Sequence, residues 1–180
     1  MTSRTDGGVD DGNAVDAGDG DGPDGLGDTG VFAREFDALG RAVAIGVASG
    51  RVISVSFPES PPSDTGPDHP LLDRIGDYLA GDEDDFADVA VAITVPTDQR
   101  EVLESIRNVP YGESIDLGRV AKLTAGLDHE DDDDLETVRA ALAANPVPLV
   151  VPDHRVSGVG GATPGSLAER LRSIEGVRER

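Results

Sequence analysis

Two β-rich runs, at residues 42–47 and 52–57, are separated by the short sequence Ala-Ser-Gly-Arg. A glycine-containing turn between two such runs is typical of a β-hairpin, and a hairpin needs a second layer to bury its apolar face. The chain supplies that layer soon afterwards, because apolar residues recur at helical spacing over residues 71–79 until Gly81 ends the pattern. The sequence therefore predicts a small sheet packed against a helix.

A short strand-like run at residues 89–95 closes this first unit, so we predict an α/β domain over residues 31–95. The remainder, residues 96–180, shows helical patterns. A helix entered through Thr97 and broken by Pro110 comes first. Further short helical stretches follow at residues 116–123, 135–144 and 167–174. Two short helices joined by a turn predict a helix-turn-helix in this mostly helical second domain.

Residues 1–30 form a tail dominated by Asp and Gly, for which we predict disorder because low hydrophobicity and high like charge cannot offset the entropy of ordering. An Asp-x-Asp-Gly pattern at residues 19–22 resembles the start of a calcium loop. However, Pro23 stands where a third oxygen ligand should fall, and no glutamate ends the loop. We therefore expect no metal site, and nothing in the sequence calls for a cofactor.

The chain carries 36 acidic and 15 basic residues, for a net charge of −21. Such a charge destabilises a compact state at low salt, whereas at molar salt the screening length falls to about 3 Å. We interpret the composition as adaptation to a high-salt cytoplasm rather than as an acidic surface for a partner. No apolar run approaches the length of a membrane span and no secretory signal is visible, so a cytoplasmic monomer is expected.

The most distinctive motif is Pro-Asp-His-Arg-Val at residues 152–156, seven residues after the Asn-Pro pair that begins at Asn145. It resembles the active-site segment of the methylated-DNA–protein-cysteine methyltransferase (O6-alkylguanine-DNA alkyltransferase) family, which reads Asn-Pro and then Pro-Cys-His-Arg-Val. The resemblance continues in order over residues 32–175. It implies an α/β domain beside a helical domain that binds DNA and flips a damaged guanine into a pocket.

The resemblance implies a role for each matching position. Asp153 stands where the family has its alkyl-accepting cysteine, and the chain contains no cysteine at all. His154 matches the histidine that draws a proton from that cysteine through water, Glu175 matches the acid that orients it, and Asn145 matches the asparagine that ties the site together. Arg155 completes the motif, and the resemblance implies that Arg155 and Asn145 take part in binding the lesion. A structural interpretation is also open, in which these residues only hold the buried turn together and Asp153 pairs with His154 or Arg155.

Two DNA-contacting positions depart from the family pattern. The arginine finger falls on Glu136, and the tyrosine of the first helix falls on Leu117. Glutamate meets phosphate with the same sign of charge, although Arg139 lies three residues later and could serve instead. The loop at residues 160–165 lacks the family's tyrosine, and an acidic run at residues 129–134 lengthens the turn before the second helix.

Three interpretations remain. We favour an alkyltransferase-like protein that binds double-stranded DNA carrying alkylated guanine, transfers nothing, and marks the damage for repair proteins. The second is a degenerate relative that serves as a protein-interaction module through its acidic surface. The third is an enzyme in which Asp153 itself attacks the alkyl group, which we rank last because a carboxylate is a weaker nucleophile than a thiolate towards this carbon.

Overall fold

The computed structural model describes residues 29–177, so the predicted tail and its calcium-loop pattern lie outside the described residues. The N-terminal part is a three-stranded antiparallel sheet in the order β1-β2-β3. Its strands are β1 (Gly30–Phe36), β2 (Arg41–Ala48) and β3 (Arg51–Ser56). The β2–β3 hairpin confirms the prediction from the two β-rich runs. Its two turn residues, Ser49 and Gly50, have positive φ angles of 51° and 71°, as the tight hairpin turn requires.

The first strand was not predicted. Its sequence, Gly-Val-Phe-Ala-Arg-Glu-Phe, shows no clear alternation of apolar and polar residues, and only Ala33 of the seven is buried. The predicted strand at residues 89–95 is wrong. Only Val91 forms an isolated bridge, with Val52, and the chain then bends at Val95 before the next helix begins.

Helix α1 (Pro70–Ala80) confirms the predicted helix and its end at Gly81. His69 caps its first turn, because its Nδ1 accepts a hydrogen bond from the N–H of Leu71 at 3.1 Å. Proline suits the first helical position, and Gly81 takes the left-handed conformation at the other end with a φ of 114°. The buried face of α1 packs on the sheet and carries Tyr78, which is fully buried.

The remaining elements form the mostly helical second part, as the sequence predicted. They are α2 (Thr97–Ile106), β4 (Ile115–Asp116), α3 (Leu117–Leu123), α4 (Asp132–Ala143), a 3₁₀ turn (Asp153–Arg155), β5 (Val156–Ser157) and α5 (Gly165–Ile174). Strands β4 and β5 pair in parallel, and α2 packs against α3 and α4. Helix α4 begins within the acidic run rather than after it. Asp131 caps it by accepting the N–H of Asp133, and carboxylates in the first turn favour the positive end of the helix dipole.

One continuous apolar core joins the two parts. The N–H of Val55 in β3 donates to the carbonyl of Pro146 at 2.9 Å, which ties the sheet directly to the segment before the 3₁₀ turn. That segment, residues 147–151, is buried throughout and leads the chain into the interior. No helix within residues 29–177 has the length and apolar character needed to cross a membrane.

Candidate functional site

The loop that precedes the 3₁₀ turn is held closed by Asn145. Its side-chain Nδ2 donates to the carbonyl of Val151 at 3.0 Å, and its Oδ1 accepts from the N–H of Val147 at 3.1 Å. Asn145 is buried, so each satisfied amide group offsets a desolvation cost. Leu149, between the two anchor points, has a φ of 77°, which a non-glycine residue adopts only when its surroundings enforce it. Asn145 therefore fixes the position of the residues that follow.

Glu175, the residue that ends α5, is the centre of the buried polar site. Its carboxylate accepts hydrogen bonds from the hydroxyl of Tyr78 at 2.7 Å, from Nε2 of His154 at 2.9 Å and from Nη2 of Arg155 at 2.8 Å. Nε of Arg155 donates to Oε2 at 3.0 Å, and the N–H of Gly112 reaches the same oxygen at 3.3 Å. The side chains of Glu175, His154 and Arg155 are at most 1% exposed. Donors from three separate parts of the chain thus meet on one carboxylate.

The hydrogen bonds decide the ionisation of this site. Burial alone raises the pKa of Glu175, but donation from His154 and Arg155 outweighs it and lowers that pKa to about 2. Burial and the neighbouring Glu175 charge raise the pKa of Tyr78, so its hydroxyl keeps its proton and acts as a donor. Since a carboxylate only accepts, Nε2 of His154 carries the shared proton. Nδ1 is buried and finds no hydrogen-bond partner within residues 29–177.

Asp153, at the predicted acceptor position, does not pair with His154 or Arg155, so that part of the structural interpretation is wrong. Instead its Oδ2 accepts the main-chain N–H of Thr163 at 2.9 Å, and its Oδ1 accepts the hydroxyl of the same residue at 2.5 Å. Arg155 is committed elsewhere, to Glu175 and to the carbonyl of Val109 at 2.7 Å. Asp153 is buried, and its carboxylate ties the 3₁₀ turn to the loop before α5.

Sequence reasoning missed Thr163 and Tyr78 as members of the site. A weak signal existed for Thr163, since it is the hydroxyl residue of an otherwise Gly-, Ala- and Pro-containing loop. The same loop approaches Asp153 closely at Gly161, where any Cβ would clash with the carboxylate. Tyr78 lies 97 positions from Glu175, and no local pattern indicated their contact.

The predicted DNA-contacting residues lie apart from this buried site. Leu117 is the half-buried first residue of α3. Glu136 and Arg139 are exposed on α4, where they form an ion pair of 3.3 Å with each other. Between positions 116 and 139 the sequence carries eight Asp or Glu residues and three Lys or Arg residues. The pair of helices predicted as a helix-turn-helix therefore presents a strongly acidic surface.

Within residues 29–177, no three His, Asp or Glu side chains are grouped so that they could hold a metal ion. The buried site holds its groups in fixed orientations. Glu175 is paired with Arg155, the carboxylate of Asp153 is fixed by two donors, and Nδ1 of His154 has no hydrogen-bond partner within residues 29–177.

Comparison with known proteins agrees with the sequence resemblance. The family model for the DNA-binding domain of 6-O-methylguanine DNA methyltransferase matches residues 97–177. The methylated-DNA–protein-cysteine methyltransferase of Methanopyrus kandleri is 36% identical over 113 residues, which cover 61% of this chain and 81% of that protein. The corresponding protein of Methanothermobacter thermautotrophicus is 34% identical, and this chain spans 60% of it.

Solved structures show the same fold. The O6-methylguanine-DNA methyltransferase from Pyrococcus kodakaraensis superposes with a TM-score of 0.59 at 25% identity, covering 82% of this chain and all of that one. The OGT of Mycobacterium tuberculosis in complex with DNA gives a TM-score of 0.59 at 21% identity, with 81% and 92% of the two chains covered.

Proposed function

Because this chain belongs to the methylated-DNA–protein-cysteine methyltransferase family, we propose that it binds alkylated DNA without accepting the alkyl group. The observation that carries the proposal is the state of Asp153. The position that would receive the alkyl group holds a buried carboxylate whose two oxygens both accept hydrogen bonds from Thr163. The surrounding frame of Asn145, His154, Arg155 and Glu175 is nevertheless fully assembled.

The engaged carboxylate argues against Asp153-dependent dealkylation. Attack at the alkyl carbon needs an electron pair on the attacking oxygen, and two hydrogen bonds from Thr163 withdraw density from both oxygens. A carboxylate also needs no base to activate it, so the arrangement of His154 and Glu175 would add nothing to such an attack. The site is therefore better suited to shaping a pocket than to forming a covalent product.

The buried Arg155–Glu175 ion pair supports a role in recognition, because its desolvation costs free energy that a purely structural contact would not need to spend. The ion pair between Arg155 and Glu175 is almost completely buried, and burying two charges costs several kcal/mol of desolvation per ion before their attraction offsets it. Arg155 is buried and donates a hydrogen bond to the carbonyl of Val109, so in this proposal it supports the surrounding chain rather than contacting DNA itself. In this proposal the four residues position the wall against which a flipped base would rest.

We further propose that α3 and α4 form the helix-turn-helix that approaches DNA. Arg139 would replace the arginine finger, since it lies on α4 three residues after Glu136 and is exposed. The acidic first turn of α4 opposes DNA at low salt, whereas in concentrated salt the repulsion is screened beyond a few ångströms. The proposal therefore fits a protein that works in the high-salt cytoplasm predicted from its composition.

Fluorescence anisotropy in concentrated potassium chloride tests the proposal directly. A duplex carrying one O6-methylguanine is compared with its unmodified twin, and intact-mass measurement of the protein follows. High salt removes most of the phosphate attraction, so we expect a surviving preference for the lesion and an unchanged protein mass. Gain of a methyl group by the protein, or loss of the methyl group from the DNA, would contradict the proposal.

A second candidate function has its own supporting observation. The eight acidic residues between positions 116 and 139 are suited to contact a basic protein surface, and in that case the fold would serve as an interaction module. Absence of binding to either duplex at every salt concentration would favour this candidate over DNA recognition.

A further inference from the structure

A groove lined by arginines lies between β3 and α2. It is bounded by Arg51 at the start of β3, by the segment at residues 91–94 that runs beside β3, and by Arg100 and Glu104 on α2 together with Arg107, the residue after that helix. Its volume is about 420 Å³. Three positive charges against one negative charge make it a basic locus on a chain whose net charge is −21.

Two of these arginines have no side-chain partner among residues 29–177. Arg51 and Arg100 are exposed, and neither makes an ion pair or a side-chain hydrogen bond within residues 29–177. Arg34 and Arg74, by contrast, are paired with aspartates, Arg34 with Asp73 at 2.8 Å and Arg74 with Asp84 and Asp88 at 2.9 Å each. Two guanidinium groups that line one groove without such pairing are available to bind an external anion.

The third arginine holds the groove in shape. Nη2 of Arg107 donates to the carbonyls of Phe86 and Ala87, each at 3.2 Å, and also to that of Val89. These bonds fix the chain just before residues 91–94 and leave Arg107 half-buried at the floor. The groove is thus a built surface of backbone and guanidinium groups rather than a chance meeting of long side chains.

We propose that this groove binds the phosphodiester backbone of a nucleic-acid strand. Guanidinium groups match phosphate oxygens with two parallel donors, and the volume of about 420 Å³ accommodates a phosphate with its sugar. Helix α2 packs against α3 and α4, so a strand in the groove would be held by the same part of the molecule that we propose to approach DNA. The inference rests on the proposed function, and it gives the acidic α3–α4 surface a positive counterpart.

The test uses the full chain and a dye-labelled short oligothymidylate, a single strand without a lesion, with affinity measured by fluorescence anisotropy at moderate salt. We expect Arg51→Gln and Arg100→Gln each to weaken binding about tenfold, since each removes a charge-assisted hydrogen bond. Arg170→Gln is the matched control, because Arg170 is exposed on α5, outside the groove, and loses the same charge. Arg100→Lys keeps the charge without the planar fork and should recover part of the affinity.

Unchanged affinity in Arg51→Gln and Arg100→Gln, or an equal loss in Arg170→Gln, would overturn the proposal. Displacement of the oligothymidylate by poly-aspartate more readily than by pyrophosphate would also overturn it, in favour of an acidic protein segment as the occupant. The proposed function can fail separately. If the protein does not prefer the lesion duplex but the groove variants still bind the oligothymidylate more weakly, the groove proposal is supported and the proposed lesion recognition is contradicted.

Discussion

Replacing Glu175 by glutamine measures how much the buried carboxylate contributes to the folded state. The pKa of Glu175 is lowered from 4.5 to about 2, and that difference corresponds to about 3 kcal/mol of stability once the group is ionised. Glu175→Gln also leaves the guanidinium of Arg155 buried without its counter-charge. Breaking one partner of a buried ion pair costs about 3–5 kcal/mol, so we expect the free energy of unfolding to fall by about that amount at neutral pH.

The assay is equilibrium unfolding in guanidinium chloride, whose ionic character screens the large net charge during the titration. Glu169→Gln is the matched control, because Glu169 lies on the same helix and is exposed. Its effect should stay within about 0.5 kcal/mol.

The pH dependence provides a second measurement with a defined sign. Because the folded-state pKa of Glu175 is depressed, its contribution is fully present above pH 4.5 and is lost as the pH falls towards about 2. The stability difference between the natural chain and Glu175→Gln should therefore shrink across this window, while the difference for Glu169→Gln should not. If Glu175→Gln lowered the free energy of unfolding by less than about 1 kcal/mol at neutral pH, or by an amount independent of pH, the conclusion that Glu175 is ionised and stabilises the fold would be refuted.

Three further predictions concern the same site. Tyr78→Phe should lower the free energy of unfolding by about 1.5–3 kcal/mol in a denaturant titration, because it removes a buried hydrogen-bond donor to a charged acceptor. The control is Tyr111→Phe, which should cost far less because the Tyr111 hydroxyl makes only a 3.4 Å contact. Equal costs for the two substitutions would contradict this prediction. Gly161→Ala should lower the free energy of unfolding by more than about 1 kcal/mol in the natural chain, because the added Cβ clashes with the Asp153 carboxylate. In the Asp153→Ala background the same substitution should cost much less. Additive effects in this double-mutant cycle would argue against the contact. The Asp153→Cys variant should take up one methyl group from DNA that contains O6-methylguanine, and intact-mass measurement of the protein would detect it. A variant that binds the lesion but stays unmodified would mean that the frame of Asn145, His154, Arg155 and Glu175 does not support transfer.

The sequence predicted the parts of the fold that have strong local signals. The hairpin was readable from its turn chemistry, and α1 from its spacing and its terminal Gly81. Strand β1 was not, because pairing with β2 rather than its own pattern makes it a strand. The run at residues 89–95 had the right composition for a strand, yet the helix that starts at Thr97 takes the chain away from the sheet after one bridge.

The candidate site was predictable as a set of residues but not as a set of contacts. The motif at residues 152–156 identified His154 and Arg155, which the structure brings together with Glu175, whereas Asn145 bonds main-chain groups of Val147 and Val151. Which donor meets which acceptor depends on distances between segments far apart in the chain. The pairing of Asp153 with Thr163 therefore appeared only in three dimensions.

The meeting of Tyr78 and Glu175 affects how this molecule can be divided. The family model matches residues 97–177, which suggests a fragment that could be produced alone, but such a fragment lacks Tyr78 and the sheet that packs on residues 147–151. A contact across 97 positions forms only after a long loop has closed, so it is expected late in folding. We therefore expect residues 31–95 and 96–180 to fold as one cooperative unit, with a single unfolding transition and no stable half.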